Sequence, residues 1–277
     1  MKTRLHLVLP AAALMLGAST LAAQTVFTDN FNSYTGTTTG GSPFYGTTGA
    51  YQGVQVPVPA DVSLGNVGIG GSQALQLSGT SDNIFVLKAP GSTINLSQGA
   101  VTLSLYFQRT AGVNVSVPEL GLVPTTASNI SSGGGNGLSA RINSTASPSY
   151  QVRNSATTQS GFTLTGSTAT TVGNWYYFAV TIERLATTDQ LSISSTLSNA
   201  DNTGAVGTQL ASISGTVTNS TLWNDSDGVF ATFRAQGNGV GMIDNLAVSQ
   251  IPEPSAFAGL AGLGALGLAA SRRRRRT

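Results

Sequence analysis

No cysteine occurs anywhere in the chain, and its one histidine, His6, stands at the extreme N-terminal end. Without them there is no Ser-His-Asp or Cys-His arrangement, no thiolate nucleophile, no His/Cys zinc site and no disulfide framework. General acid/base chemistry near neutral pH is left to carboxylates, and stability is left to core burial, with a hard cation such as calcium as the available aid. Charge is scarce as well, at 9% of residues. Seven of the 13 basic residues (Lys2, Arg4, Arg272, Arg273, Arg274, Arg275 and Arg276) lie in the two end segments, whereas all 11 acidic residues fall between Gln24 and Pro254. The body therefore has a formal charge of −5, and nucleic-acid binding, which needs a positive face to displace counterions, has no support.

The ends differ from the body. "MKTRLHLVLPAAALMLGASTLAAQ" places Lys2 and Arg4 before an apolar stretch and then small residues, the pattern of a secretory signal peptide cut near Ala23. At the other end, Pro252-Glu253-Pro254 runs into an uncharged segment, Ser255 to Ala270, followed by five arginines, Arg272, Arg273, Arg274, Arg275 and Arg276. As a helix that segment covers about 24 Å, a short membrane span, and the arginines orient it with Thr277 on the cytoplasmic side. The expected organisation is a signal peptide at 1–23, a β-sandwich domain at 24–250 and a sorting tail at 251–277.

Between the ends nearly every signal is for strands. "VTLSLYFQR" puts Val101, Leu103, Leu105 and Phe107 on one face, and "WYYFAVTIER" does the same with Tyr176, Phe178, Val180 and Ile182. Similar stretches start near Val26, Ala74, Asn83, Leu138, Ser149, Gln190, Gln209, Gly228 and Met242. No window of ten or more residues in the body carries a helical period. Short strands punctuated by Gly, Ser, Thr and Asn predict an all-β antiparallel sandwich.

Two aspartates interrupt apolar rows. Strict alternation puts Asp29 on the face of Phe27 and Phe31, and Asp244 on the face of Leu246 and Val248. Either each caps a turn or accepts backbone N–H bonds, or the first and last strands pair and bring Asp29 and Asp244 to a calcium ion.

A body that opens with "TDNF", contains "GNWYYFAVTI" and closes with "MIDNLAVS" resembles the concanavalin A-like lectin/glucanase jelly roll. The resemblance implies two curved antiparallel sheets with the last strand lying beside the first. Catalytic members carry alternating carboxylates on one strand, and this body has none; its glutamates, Glu119, Glu183 and Glu253, are widely separated. The tail, with its Pro-Glu-Pro triplet, apolar segment and arginine cluster from Arg272 to Arg276, is similar to the PEP-CTERM sorting signal of Gram-negative bacteria. That likeness implies reading of Pro252, Glu253 and Pro254 by an exosortase in the inner membrane, transient membrane anchorage through the tail, and delivery to the surface or an exopolysaccharide matrix.

Two functions follow. One is a non-catalytic surface or matrix protein that binds glycans or neighbouring proteins, with Tyr177 and Trp223 as candidate sugar contacts. The other is a glycan-cleaving enzyme with a carboxylate pair drawn from Asp225, Asp227, Glu183 and Glu119. The first is the expectation carried forward.

Overall fold

The computed structural model describes residues 23–34, 50–55, 62–77, 82–109, 115–126, 130, 136–144, 149–155, 157–225, 228–236 and 240–252. The expected signal peptide, the apolar segment and the terminal arginines therefore lie outside the described residues. Among the described residues no helix is long and apolar enough to cross a membrane.

Alternating sequences bury one face, and here two sheets bury theirs against each other. The larger sheet contains β1 (Gln24–Asp29), β3 (Val62–Gly65), β4 (Ala74–Leu77), β6 (Gly99–Arg109), β11 (Thr163–Gly166), β12 (Trp175–Arg184), β13 (Gln190–Ala200), β14 (Val206–Thr218) and β16 (Val240–Pro252). Its order is β11-β14-β13-β12-β6-β16-β4-β3, with β1 also on β16. The smaller sheet contains β2 (Tyr51–Gln55), β5 (Asp82–Leu87), β7 (Val115–Val123), β8 (Leu138–Ser144), β9 (Ser149–Asn154), β10 (Thr157–Thr158) and β15 (Phe230–Gln236), in the order β10-β9-β8-β7-β15-β5-β2. Neighbours pair antiparallel throughout, so the expected all-β sandwich is observed.

The core lies between the sheets. Leu103, Leu105, Phe107, Phe178 and Val180 of the larger sheet and Phe85, Leu120, Leu122, Ile142 and Phe233 of the smaller one belong to one buried cluster. Polar links cross it: the Tyr51 hydroxyl of the smaller sheet donates to Asp29 of the larger at 2.9 Å, and the Tyr150 and Ser195 hydroxyls lie 2.7 Å apart, with Ser195 donating to the carbonyl of Ala179. Burial pushes the Tyr150 pKa up, so it stays a neutral donor.

The first and last strands pair, from Gln24 opposite Gln250 to Asp29 opposite Leu246. β16 also lies along β6 over its whole length, as far as Pro252 opposite Gly99. On its other edge it serves two partners in turn, β4 at Met242 and Ile243 and then β1. A bulge lies where the partner changes. Between Asp244 and Ala247 the β6 register shifts, and Asn245 takes a left-handed backbone with φ 49°.

That bulge corrects the alternation read from the sequence. Ile243 and Leu246 both join the core, so the extra residue reverses the parity and turns Asp244 outward, opposite Tyr106, instead of onto the face of Leu246 and Val248. The strand expected over "VFTDNF" also ends early, at Asp29, because Phe31 is left-handed with φ 58°.

Five strands carried no clear alternation: β2, β3, β7, β10 and β11. In β7 the reason is Pro118, which has no N–H to give and sits where the register with β8 shifts between Val117 and Glu119. One single-turn helix, α1 (Ser220–Asn224), is too short to show a period; its start is marked by Asn219, whose side chain accepts from the Leu222 amide at 2.9 Å.

Phe178 stands on β12 with no exposed surface and neighbours on both flanking strands. Phe178→Ala is expected to lower stability by about 3–5 kcal/mol, read from the midpoint of urea denaturation. A loss under about 1 kcal/mol would show that the two sheets do not close on this ring.

Candidate functional site

Asp29 and Asp244 come close to the same junction on β16 but face opposite sides of the sheet. Asp29 points into the sandwich: its Oδ1 accepts from the Phe31 amide at 2.7 Å, and its Oδ2 from the Tyr34 and Tyr51 hydroxyls at 2.6 and 2.9 Å. Asp244 faces outward yet has no exposed surface, because the turn Gly68 to Ser72 lies over it. Its Oδ2 accepts from the Ile69 amide at 2.9 Å and the Ser72 hydroxyl at 2.7 Å, and its Oδ1 from the Asn245 amide at 2.7 Å. The approach is close enough to require glycine at position 68, where a Cβ would stand 2.5 Å from Oδ2.

Every oxygen of both carboxylates thus meets N–H or O–H donors. A cation needs the opposite, a convergent set of oxygens with their lone pairs turned inward. These residues do not fit calcium, and among the described residues no three of His, Cys, Asp and Glu gather as ligands. The aspartates act in the first of the two ways considered from the sequence, as acceptors that pin turns.

Through Asp244 the pinning extends along the outer face. The Gly70 amide, in the turn held by Asp244, donates to the Asn202 carbonyl at 2.7 Å. Asn202 belongs to the β13–β14 loop, which Asp201 closes by accepting from the Thr203 and Ala205 amides at 2.8 and 2.9 Å. The Tyr106 hydroxyl then donates to the Gly204 carbonyl at 2.9 Å, and the Tyr106 ring lies 5.1 Å from that of Tyr177 at 57°. Tyr177 therefore sits half-buried on the outer face of the larger sheet, beside a second tyrosine that sequence reasoning did not single out. Its signal was present in the same alternation, two residues from Ser104 on the polar side of β6.

Beyond the tyrosines the outer face is hydroxyl-rich. One register row runs through Ser249, Thr102, Thr181, Ser194, Ser214 and Thr163 on six adjacent strands. Where two meet, Thr102 and Thr181 hydroxyls are 2.9 Å apart. At the junction of β1 and β16 a cleft of about 290 Å³ opens between Thr28–Asn30 and Asn245–Ala247.

Trp223 has a different setting. It lies on α1, partly buried against the core, with its indole N–H donating to the Leu185 carbonyl at 3.3 Å. The Arg184 guanidinium covers its ring, 3.8 Å from the centroid, so that face already has a cation–π partner. Trp175 is buried, with 4% exposure.

The candidate carboxylates are dispersed. Glu119 is on the outer face of the smaller sheet, 3.0 Å from Arg234, 3.7 Å from Arg153 and accepting from the Ser139 hydroxyl at 2.6 Å. Glu183 is exposed on the outer face of the larger sheet. Sheets pack roughly 10 Å apart, so these two exceed the separation of about 5–9.5 Å that glycoside hydrolysis requires. Asp225 follows α1 beside a shallow cleft with Pro124, Thr125, Asn224 and Gly228, and Asp227 lies outside the described residues.

The family model of the PEP-CTERM protein-sorting motif matches residues 250–275. The chain carries this sorting signal, which marks it for export and membrane-associated sorting in a Gram-negative bacterium and implies recognition by an exosortase. Pro252 ends β16. The other expected recognition residues, Glu253, Pro254, Arg272, Arg273, Arg274, Arg275 and Arg276, lie outside the described residues; the matched segment includes all of them but Arg276. No curated protein matches the chain. Among solved structures it is similar to peanut lectin (16% identity, TM-score 0.45, covering 81% of this chain and 97% of that one). It is also similar to lectin I of Ulex europaeus (14%, 0.45, 72% and 90%) and the globular domain of T. cruzi calreticulin (8%, 0.48, 89% and 95%).

Two measurements follow from the aspartates. Removing divalent ions with a chelator is expected to leave the melting temperature unchanged, and a clear drop would restore the cation reading. Their titration sets a pH profile. Burial raises the carboxyl pKa of both Asp29 and Asp244 above 3.8 and outweighs the hydrogen bonds they accept. The folded state then holds more protons than the unfolded one between 3.8 and the raised values, so this stabilisation is complete below 3.8 and is lost as pH rises. Hydrogen bonds from Thr203 and Ala205 lower the Asp201 pKa, giving the opposite sign below 3.8. Melting temperature should rise on acidification from about pH 7 to about pH 4 and fall below it, with a smaller first limb in Asp244→Asn. A steady fall from neutrality would contradict the assignment.

Proposed function

We propose that the protein is a non-catalytic component of the cell surface or extracellular matrix whose outer sheet face binds neutral glycan. The tail is a temporary address, removed after the exosortase reads Pro252, Glu253 and Pro254.

One observation carries the glycan reading: the outer face of the larger sheet joins a tyrosine pair, Tyr106 and Tyr177, to a row of Ser and Thr hydroxyls. Sugar rings offer C–H faces that stack on aromatic rings and hydroxyls that exchange hydrogen bonds with Ser and Thr. A body of formal charge −5 would repel an anionic polymer, which favours a neutral one. The separation of Glu119 from Glu183 favours binding over cleavage, and Trp223, one face of which Arg184 covers, is the weaker of the two aromatic candidates.

Electrophoresis through gels containing hydroxyethylcellulose or alginate tests this. Retardation is expected in the neutral gel alone, without release of reducing ends. Tyr177→Ala should weaken it about tenfold, a change of ~1.4 kcal/mol. Equal retardation of both proteins moves the site away from the tyrosines; no retardation in either gel, or preference for alginate, refutes the reading.

A further inference from the structure

The sorting motif and the fold overlap. The motif starts at residue 250, and β16 continues to Pro252, so Gln250, Ile251 and Pro252 belong to both. At Gln250 both backbone edges are engaged, by Val101 of β6 and by Gln24 of β1. Ile251 and Pro252 remain paired with Ala100 and Gly99.

The side chain of Gln250 adds a latch. Its carboxamide donates to the carbonyl of Asn95 and, at 3.3 Å, to that of Gly99. Asn95 caps the short 3-10 turn Leu96–Gln98, accepting from the Ser97 amide at 2.9 Å, and Leu96 is wholly buried in the core. Gln250 is thus tied to a turn that the core itself holds in place. Ile251, two residues before Glu253, is 40% exposed and owes its position to the β6 ladder.

We infer that the folded sandwich keeps the sorting signal partly closed, and that the exosortase acts after the end of β16 peels from β6, with Gln250 as the latch. Enzymes that act on a peptide bond commonly take their substrate as an extended segment whose backbone groups are free to pair with the enzyme. Upstream of Glu253 the backbone is already paired with β6 along one edge and, as far as Gln250, with β1 along the other. Slack does not relieve the problem: only Glu253 and Pro254 separate Pro252 from the apolar run beginning at Ser255, a reach of about 10 Å. Peeling is a local opening, far cheaper than unfolding the sandwich, so its frequency sets the rate of processing while the body stays folded. Gln250 is on this view a positioning residue, which holds the substrate segment away from the enzyme that reads it.

The inference rests on the reading that the tail is removed, and the experiment separates the two. Full-length chain is expressed in its native host, tail removal is followed by pulse-chase, and the surface protein is weighed intact. Ala100→Cys with Ile251→Cys places two thiols at directly opposed positions of an antiparallel pair, within disulfide reach in an oxidising periplasm and in a body with no competing cysteine. Tail removal should slow at least about tenfold and recover when a reductant is added. Ser104→Cys with Ala247→Cys, farther along the same two strands, should process at the wild-type rate, since it leaves the end free. Gln250→Ala, which needs no disulfide, should process about threefold faster or more.

A closed disulfide between positions 100 and 251 that leaves processing at the wild-type rate overturns the latch, as does a Gln250→Ala chain that is unchanged or slower. Slowing by the disulfide between positions 104 and 247 as well would assign the effect to cross-linking in general and equally overturn it. Wild-type surface protein still ending in Thr277 overturns tail removal itself.

Discussion

β16 is the strand on which the larger sheet depends. It lies along β6 on one edge and on the other holds first β4 and then β1. Where the partner changes from β4 to β1, the register against β6 shifts between Asp244 and Ala247. The bulge at Asn245 supplies the extra residue, and the left-handed backbone it requires suits Asn better than any β-branched side chain. The bulge also sends Asp244 outward, where it captures the turn at Ile69 and Ser72. From that turn the contacts continue through Asn202 and Gly204 to Tyr106. The candidate binding face is therefore shaped from below by one irregularity in its central strand.

Charge is handled with the same economy. Glu119 shares its buried carboxylate between Arg153 and Arg234, which stand on other strands of the smaller sheet. Such a network adds little net stability, because desolvation offsets the attraction, but removing Glu119 alone would leave two guanidinium groups buried without it. The larger sheet carries mostly Ser and Thr outside, with Glu183 exposed near the end of β12. Its surface offers hydrogen bonds in both directions and almost no field.

How much of this was legible depended on whether a strand kept its period. β6 and β12 did, and Val101 to Phe107 and Tyr176 to Ile182 face the core as alternation required. β7 did not, because Pro118 marks a bulge that breaks the period, and Asp244 was placed on the wrong face for the same reason. A bulge is set by partner strands, and a single-strand pattern has no access to them. The pairing of the first strand with the last was legible through the jelly-roll resemblance carried by "TDNF" and "MIDNLAVS", but the donors around the two aspartates were not. Tyr34, Tyr51, Ile69 and Ser72 come from loops and short strands whose positions only the folded chain defines. Tyr177 was found from its strand; the alternation of β6 already put Tyr106 on the outer face, but its place beside Tyr177 needed the register of β6 against β12.

The pairing of β1 with β16 also orders events in time. A chain made and threaded through a membrane from its N-terminal end delivers Thr28 long before Ala247, the residue it pairs with. β6, too, waits for the same partner. Contacts so distant in sequence form slowly and cannot form piecemeal. Until the last strand emerges, the larger sheet is divided into a β3–β4 fragment, a stray β1 and a β6-to-β11 block, with nothing between them. The chain must travel unfinished, and the strand that completes the sandwich is also the one that leads into the sorting signal. Completing the passage and completing the fold are then a single event.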